Sequence, residues 1–91
     1  MELKHKESKN SFYLLDHDKE IGEITYAYVS EGLIDLNHTY IDSNYRGQNL
    51  GLQLIDAVAD YARENNLKVK ASCPYVVKVF GETDQYNDIK A

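Results

Sequence analysis

The chain has 91 residues and a mass of 10.4 kDa, which fits one domain with one modest core. A hydrophobic fraction of 43% with 27% charged residues is typical of a folded globular domain and excludes a disordered chain. The net charge of −5 disfavours nucleic acid as a partner, because a protein that binds phosphate backbones needs a basic surface.

The N-terminal sequence and the single cysteine indicate the compartment. One cysteine excludes an internal disulfide, and no segment reaches the roughly 20 apolar residues of a membrane span or resembles a signal peptide. We therefore expect a cytoplasmic protein without membrane contact, folded as a single domain over residues 1–91 and monomeric.

Four strands are predicted in the first half of the chain, over residues 3–8, 12–15, 21–29 and 33–41. Each segment is rich in β-branched or aromatic residues and is separated from the next by a polar turn. The first segment is rich in lysine, as is common for an edge strand. In the fourth, strict alternation predicts one face with Ile34, Leu36, His38 and Tyr40, and another with Asp35, Asn37 and Thr39.

The second half begins with an amphipathic helix over residues 50–65, where apolar residues recur every three or four positions. A fifth strand over residues 68–73 ends at Pro74, and a short helix is predicted over residues 75–80. A strand, a helix and a strand in succession predict a right-handed crossover with parallel fourth and fifth strands. The fold class is therefore α+β, a mixed and mostly antiparallel sheet packed against the main helix, with a polar, partly ordered tail over residues 81–91.

The loop between the fourth strand and the main helix carries the strongest chemical signal. Arg46 adds a positive charge beside a helix N-terminus, Gly47 permits a turn, and Gly51 removes a side chain from the first helical turn. Free N–H groups at such a terminus suit a phosphate. The alternative is an ordinary connection in which Asn49 caps the helix.

Four segments together resemble the small single-domain members of the GNAT superfamily of N-acetyltransferases. Residues 46–51, Arg-Gly-Gln-Asn-Leu-Gly, are similar to the acetyl-CoA signature Gln/Arg-x-x-Gly-x-Gly/Ala of that superfamily. The other three segments are His38-Thr39-Tyr40-Ile41, Tyr61-Ala62-Arg63 and Cys73-Pro74-Tyr75-Val76. The resemblance spans residues 22–80.

The resemblance implies a minimal GNAT-like domain with acetyl-CoA as cosubstrate. Backbone amides of residues 48–52 would hold the pyrophosphate, and the pantetheine arm would lie where the fourth and fifth strands separate. The cofactor-binding residues expected on this basis are Tyr40, Ile41, Arg46, Gly47, Gln48, Asn49, Leu50, Gly51, Leu52, Cys73, Pro74 and Lys78. No metal site is predicted.

Two departures from the superfamily pattern bear on function. Asn49 replaces the first glycine of the signature, and asparagine is the non-glycine residue that best adopts a positive φ. Full-length members carry helices between the first two strands that help to build the acceptor site, whereas only residues 7–11 fill that connection here. The acceptor pocket is therefore expected to be unusually open or absent.

Three residues are candidate catalytic groups, and each has a structural alternative. His38 is either a general base or a half-buried core histidine. Cys73 is either an inert buried residue or a nucleophile whose pKa is lowered by a neighbouring histidine or helix terminus. Tyr75 either donates a proton to the CoA thiolate or packs against its neighbours. The crossover would bring His38 near Cys73.

The function that we predict is acetyl transfer from acetyl-CoA to an unidentified amine, directly or through acetyl-Cys73. An acidic chain weakly favours a cationic amine as the acceptor. The alternative is a non-catalytic acyl-CoA-binding or regulatory module that retains the loop and lacks an acceptor site.

Overall fold

The protein is a five-stranded sheet with two α-helices, as seen in a computed structural model that describes residues 1–91. The elements are β1 (Glu2–Lys6), β2 (Ser11–Asp16), β3 (Lys19–Ser30), β4 (Leu33–Ile41), α1 (Leu50–Glu64), β5 (Lys68–Ala71) and α2 (Pro74–Glu82). The strands lie in the order of the sequence. β1 to β4 are antiparallel and β5 is parallel to β4, which confirms the predicted α+β class and the crossover.

Both helices pack into one continuous core on one face of the sheet. The apolar stripe of α1 contributes Leu54, Ile55 and Val58, and α2 contributes Val76 and Val79. The opposite face, here called the outer face, carries Tyr13, Glu23, Thr25, His38 and Tyr40, all partly or fully exposed. Neither helix is long and apolar enough to cross a membrane.

A β-bulge at Asn37 reverses the side-chain alternation within β4. Thr25 of β3 lies opposite His38, whereas the next residue, Tyr26, lies opposite Leu36, so Asn37 is an extra residue. Its amide oxygen accepts a hydrogen bond from the Thr25 hydroxyl. An inserted residue moves every later side chain to the other face.

The predicted placement of His38 and Tyr40 is therefore wrong. Ile34 and Leu36 are buried in the core as expected, but His38 and Tyr40 lie exposed on the outer face. Thr39 takes the place on the core side that the sequence assigned to His38. The strict alternation failed because it was continued across the bulge.

The predicted polar tail is packed rather than partly ordered. α2 continues to Glu82, and beyond it Tyr86 and Ile89 are buried in the core. The Val69 N–H donates to the Ile89 carbonyl at 2.7 Å, so the end of the chain pairs with the free edge of β5. Tyr86 and Ile89 are enough to order this polar segment, because each side chain packs into the core beside a helix or strand.

The connection between β1 and β2 is as short as the sequence predicts. It consists of a single 3-10 turn over Glu7–Lys9, closed by Asn10 in a left-handed conformation with φ of 50°. No α-helix lies between these strands.

Candidate active site

β4 and β5 separate halfway along β4. Their pairing ends at Leu36 and Ala71, after which the N–H groups of Ser72 and Cys73 both donate to the Leu36 carbonyl at 3.0 Å. From Asn37 to Ile41, the edge of β4 that faces β5 has no strand partner. The sheet therefore has a gap here, and the start of α2 lies beside it.

The loop before α1 turns through two left-handed residues. Gly47 has φ of 83° and Asn49 has φ of 59°, so Asn49 adopts the backbone conformation expected of a residue in place of the signature glycine. The first backbone bond of the helix runs from the Gln53 N–H to the Asn49 carbonyl. The N–H groups of Leu50, Gly51 and Leu52 precede it and are left without helical partners.

This loop and the gap together form a cleft of about 380 Å³. It is lined by Thr39, Ile41, Tyr45, Arg46, Gly47, Asn49, Leu50, Gly51 and Tyr75. Positive charge at the cleft comes from the exposed Arg46, whose Nε donates to the Ile41 carbonyl at 3.4 Å, and from the N-terminus of α1. The cleft therefore suits an anionic ligand with an extended apolar part.

The ring of Tyr75 stands directly against Gly51. A Cβ at position 51 would lie 2.5 Å from Tyr75 Oη and 2.8 Å from two ring carbons, closer than real Cβ contacts. On the far side of this ring is a second cleft of about 320 Å³, which includes Leu52 and Lys78 and shares only Asn49 and Tyr75 with the first. Tyr75 thus separates two clefts at the start of α1, and glycine at position 51 makes room for it.

Cys73 lies at the gap, at the N-cap of α2. Its side chain is buried, and Sγ is 3.4 Å from Thr39 Oγ1. Burial alone would raise the pKa of the thiol, but the hydrogen bond with the Thr39 hydroxyl and the nearby backbone N–H groups at the start of α2 outweigh burial and lower the pKa. Thr39 and the start of α2 therefore favour the thiolate form of Cys73.

The pKa of Tyr75 is shifted in the opposite direction, upward. Burial raises the pKa of its phenol, and the negative charge that Cys73 carries as a thiolate raises it further. The phenol therefore stays protonated at neutral pH, beside a thiol that loses its proton more readily than an ordinary cysteine.

The structure brings together most of the residues predicted from the sequence. Ile41, Arg46, Gly47, Asn49, Leu50 and Gly51 line the first cleft, Leu52 and Lys78 line the second, and Tyr75 lines both. Gln48 is exposed in the loop, and Pro74 is the first residue of α2. His38 and the side chain of Tyr40 lie on the outer face, away from the cleft, and Cys73 contacts Thr39 rather than His38.

Two cleft residues were missed by the sequence analysis. Thr39 was assigned to the wrong face for the reason given above, and no signal in the sequence marks the bulge. Tyr45 lies in the loop and donates its hydroxyl proton to Asp16 Oδ2 at 2.7 Å, which ties the cleft wall to the β2–β3 turn. An aromatic residue in an otherwise polar loop was the available signal for Tyr45.

The α+β fold, with a sheet that separates beside a helix N-terminus, matches the fold of known N-acetyltransferase structures. The profile of the family described as GCN5-related N-acetyl-transferase matches residues 11–89. The chain belongs to this family.

Individual relatives agree with this assignment. Protein NATD1 of Homo sapiens is 33% identical over 66 residues, which make up 72% of this chain and 57% of that protein. The chain thus matches little more than half the length of that relative. The solution structure of a GCN5-like protein from Staphylococcus aureus is 36% identical with a TM-score of 0.82, and the match covers 99% of this chain and 87% of that one.

A more distant structure shares the fold. A Mycobacterium tuberculosis protein solved in complex with CoA is 18% identical with a TM-score of 0.60, over 68% of this chain and 40% of that one.

Proposed function

We propose that the protein binds acetyl-CoA in the cleft between the α1 N-terminus and the β4–β5 gap, and transfers the acetyl group to an amine. The observation that carries the proposal is the continuity of this cleft from the helix N-terminus to Thr39, which is hydrogen-bonded to the Cys73 thiol. The pyrophosphate would meet the free N–H groups at the start of α1 and the Arg46 guanidinium. The pantetheine arm would run along Thr39 and Ile41.

The position of Cys73 supports a route through an acetylated cysteine. The thiolate adds to the thioester carbonyl carbon, the bond from that carbon to the CoA sulfur breaks, and the departing CoA thiolate takes the phenolic proton of Tyr75. A neutral amine then attacks the acetyl-Cys73 carbonyl, its proton returns to the Tyr75 phenolate, and the bond from the carbonyl carbon to the cysteine sulfur breaks to restore the Cys73 thiolate. The lowered pKa of Cys73 and the raised pKa of Tyr75 match these roles as nucleophile and acid.

The direct route needs a base for the amine, since an ammonium group has no lone pair with which to attack. In this route His38, which is exposed on the outer face one residue before Thr39, would accept the proton of an amine that approaches from that side. In this route Cys73 remains unmodified, and the amine displaces CoA in one step.

Mass spectrometry of the protein after incubation with acetyl-CoA distinguishes the two routes. An acetyl group on Cys73 that is absent from Cys73→Ala, and is lost on addition of an amine, would establish the covalent route. Adduct formation should reach half its maximal rate below the ordinary thiol pKa of about 8.5. Undiminished transfer by Cys73→Ala would exclude the covalent route and leave direct attack.

Calorimetry with acetyl-CoA tests the binding step by itself. Arg46→Gln should weaken binding because it removes a full charge at the cleft, whereas Lys9→Gln makes the same charge change in the remote turn before β2 and should leave affinity unchanged. Absence of binding by the folded wild-type protein at millimolar acetyl-CoA would refute the proposed function.

A non-catalytic acyl-CoA-binding module is the second candidate, and the short β1–β2 connection favours it. Its single 3-10 turn leaves the outer face beside the gap without a covering helix. A module of this kind would bind acetyl-CoA but would neither form an adduct nor acetylate any amine offered to it.

A further inference from the structure

Three residues of the outer face form a row across neighbouring strands. Tyr13 of β2 lies opposite Glu23 of β3, and Glu23 lies opposite Tyr40 of β4. Directly paired residues point to the same side of a sheet, with Cβ atoms about 5 Å apart. The row Tyr13, Glu23 and Tyr40, here called the outer-face triplet, therefore places a carboxylate between two aromatic rings.

The carboxylate of Glu23 has no cationic partner within the protein. Its Oε2 accepts a hydrogen bond from the Ser11 hydroxyl at 2.9 Å, and none of the ion pairs of the chain includes Glu23. Ser11 itself is buried, so it holds the carboxylate in place on the sheet. A fixed, half-buried carboxylate with a free oxygen attracts a cation that can donate hydrogen bonds.

The ring of Tyr13 already holds a cation. The Lys6 ammonium nitrogen lies 5.4 Å from its centroid, within the range of a cation–π contact. At the other end of the row, the Tyr40 side chain is 45% exposed. One ring of the triplet thus already contacts an alkylammonium group, and the other is exposed to solvent.

Tyr40 of the outer-face triplet belongs to β4, the strand that borders the gap. His38 and Tyr40 flank Thr39, the residue that contacts the Cys73 sulfur. His38 lies opposite Thr25, two residues along β3 from Glu23, so His38 and Glu23 are diagonal neighbours about 7 to 8 Å apart. The edge of β4 beyond Leu36 has no strand partner, and it is the route by which a ligand on the outer face would reach the cleft.

From this arrangement we infer that the outer-face triplet binds the ammonium group of a primary alkylamine, the acetyl acceptor. The inference rests on the proposed function and adds to it the acceptor class and the residues that select it. Glu23 would accept hydrogen bonds from the ammonium group, Tyr40 would cover its alkyl chain, and His38 would take its proton before attack. A lysine side chain and a free polyamine share this chemistry.

The first test measures amine binding without the cofactor. Titration of the protein with n-butylamine, followed by NMR, should shift resonances of Tyr13, Glu23 and Tyr40. Glu23→Gln should weaken this binding about tenfold, since it removes the charge and keeps an oxygen for Ser11. Glu20→Gln, an exposed glutamate on the same strand without a partner, is the matched control and should bind as the wild type does.

A variant that is expected to tighten amine binding, rather than weaken it, excludes a merely structural effect. Lys6→Met removes the competing ammonium from the Tyr13 ring and should tighten n-butylamine binding. Equal affinities in Glu23→Gln and Glu20→Gln, or resonance shifts confined to other parts of the sheet, would overturn the inference.

The second test measures acetyl transfer. Glu23→Gln should raise the KM for the amine while the Kd for acetyl-CoA stays unchanged, and assays with spermidine and with a lysine-containing peptide identify the source of the amine. Amine binding to the triplet without any transfer would refute the proposed function and retain the site. Acetyl transfer with an amine KM that is unchanged in Glu23→Gln would refute the amine site and retain the proposed function.

Discussion

Replacement of Gly51 by alanine should reveal how firmly Tyr75 occupies the cleft. The added Cβ would lie 2.5 Å from Tyr75 Oη, and because Gly51 is buried in the first turn of α1, the tyrosine ring must move. The ring belongs to a side chain that is 38% exposed, so it can swing into solvent. The same substitution removes the helix penalty of glycine.

Displacement of the Tyr75 ring lowers the free energy of unfolding, whereas the better helix propensity of alanine raises it, and the two contributions can be separated. About three fifths of Tyr75 is covered, roughly 100 Å² at most of apolar surface, and exposing it costs about 2 kcal/mol. Alanine in a helix stabilises by up to about 1 kcal/mol relative to glycine. Gly51→Ala should therefore destabilise the wild type by about 1 kcal/mol, and should stabilise the Tyr75→Ala variant, where the obstruction is gone.

Urea unfolding of the four proteins in this double-mutant cycle measures the coupling, which should be about 2 kcal/mol. The change of sign between the two backgrounds is the decisive feature. If Gly51→Ala has the same effect with and without the tyrosine ring, the contact between residues 51 and 75 does not exist in solution.

Two further predictions concern the loop and the N-terminal strand. Asn49→Gly should bind acetyl-CoA at least as tightly as the wild type, because glycine adopts the φ of 59° without strain, and Asn49→Ala should lose about 1 kcal/mol of unfolding free energy. Severe weakening of binding by the glycine variant in calorimetry would show that the asparagine side chain contacts the ligand. His5 stacks on Phe12 and is hydrogen-bonded to Tyr26 at 2.7 Å. Burial lowers the pKa of its imidazole, and this effect outweighs the negative charge of Glu7, which raises the pKa. Its neutral form is favoured by folding, so its contribution to stability is complete above the ordinary value of 6.5 and is lost as the pH falls through that value. Urea unfolding between about pH 7.5 and pH 5 should show a steeper loss of unfolding free energy for the wild type than for His5→Gln. Equal pH slopes for the two proteins would contradict this role of His5.

Regular periodicity made most of the fold predictable. The helix predicted over residues 50–65 is observed as Leu50–Glu64, and the four antiparallel strands and the parallel fifth are all present. The positive φ at Asn49 was also predicted, because the constraint is local to the backbone of one residue. These features depend on short-range preferences that a sequence records directly.

The errors arose where tertiary structure overrides a regular pattern. Residues 34, 36, 38 and 40 alternate as a bulge-free strand would, so the extra residue at Asn37 left no trace in the sequence. The contact between Thr39 and Cys73 depends on that bulge and on the separation of β4 from β5, neither of which is local. The burial of Tyr86 depends on its hydrogen bond to Asp56 on α1, 30 positions earlier.

The bulge in β4 also divides the strand into two sets of positions that can change independently. Beyond Asn37, the odd-numbered Thr39 and Ile41 face the cleft, and the even-numbered His38 and Tyr40 face the other side of the sheet. Under the proposed function, mutations at the even positions would therefore alter which acceptor is bound while the cleft wall stays unchanged. One strand would in this way diversify the choice of acceptor while it preserves the proposed acetyl-CoA cleft, and deletion of Asn37 would exchange the two sets in a single step.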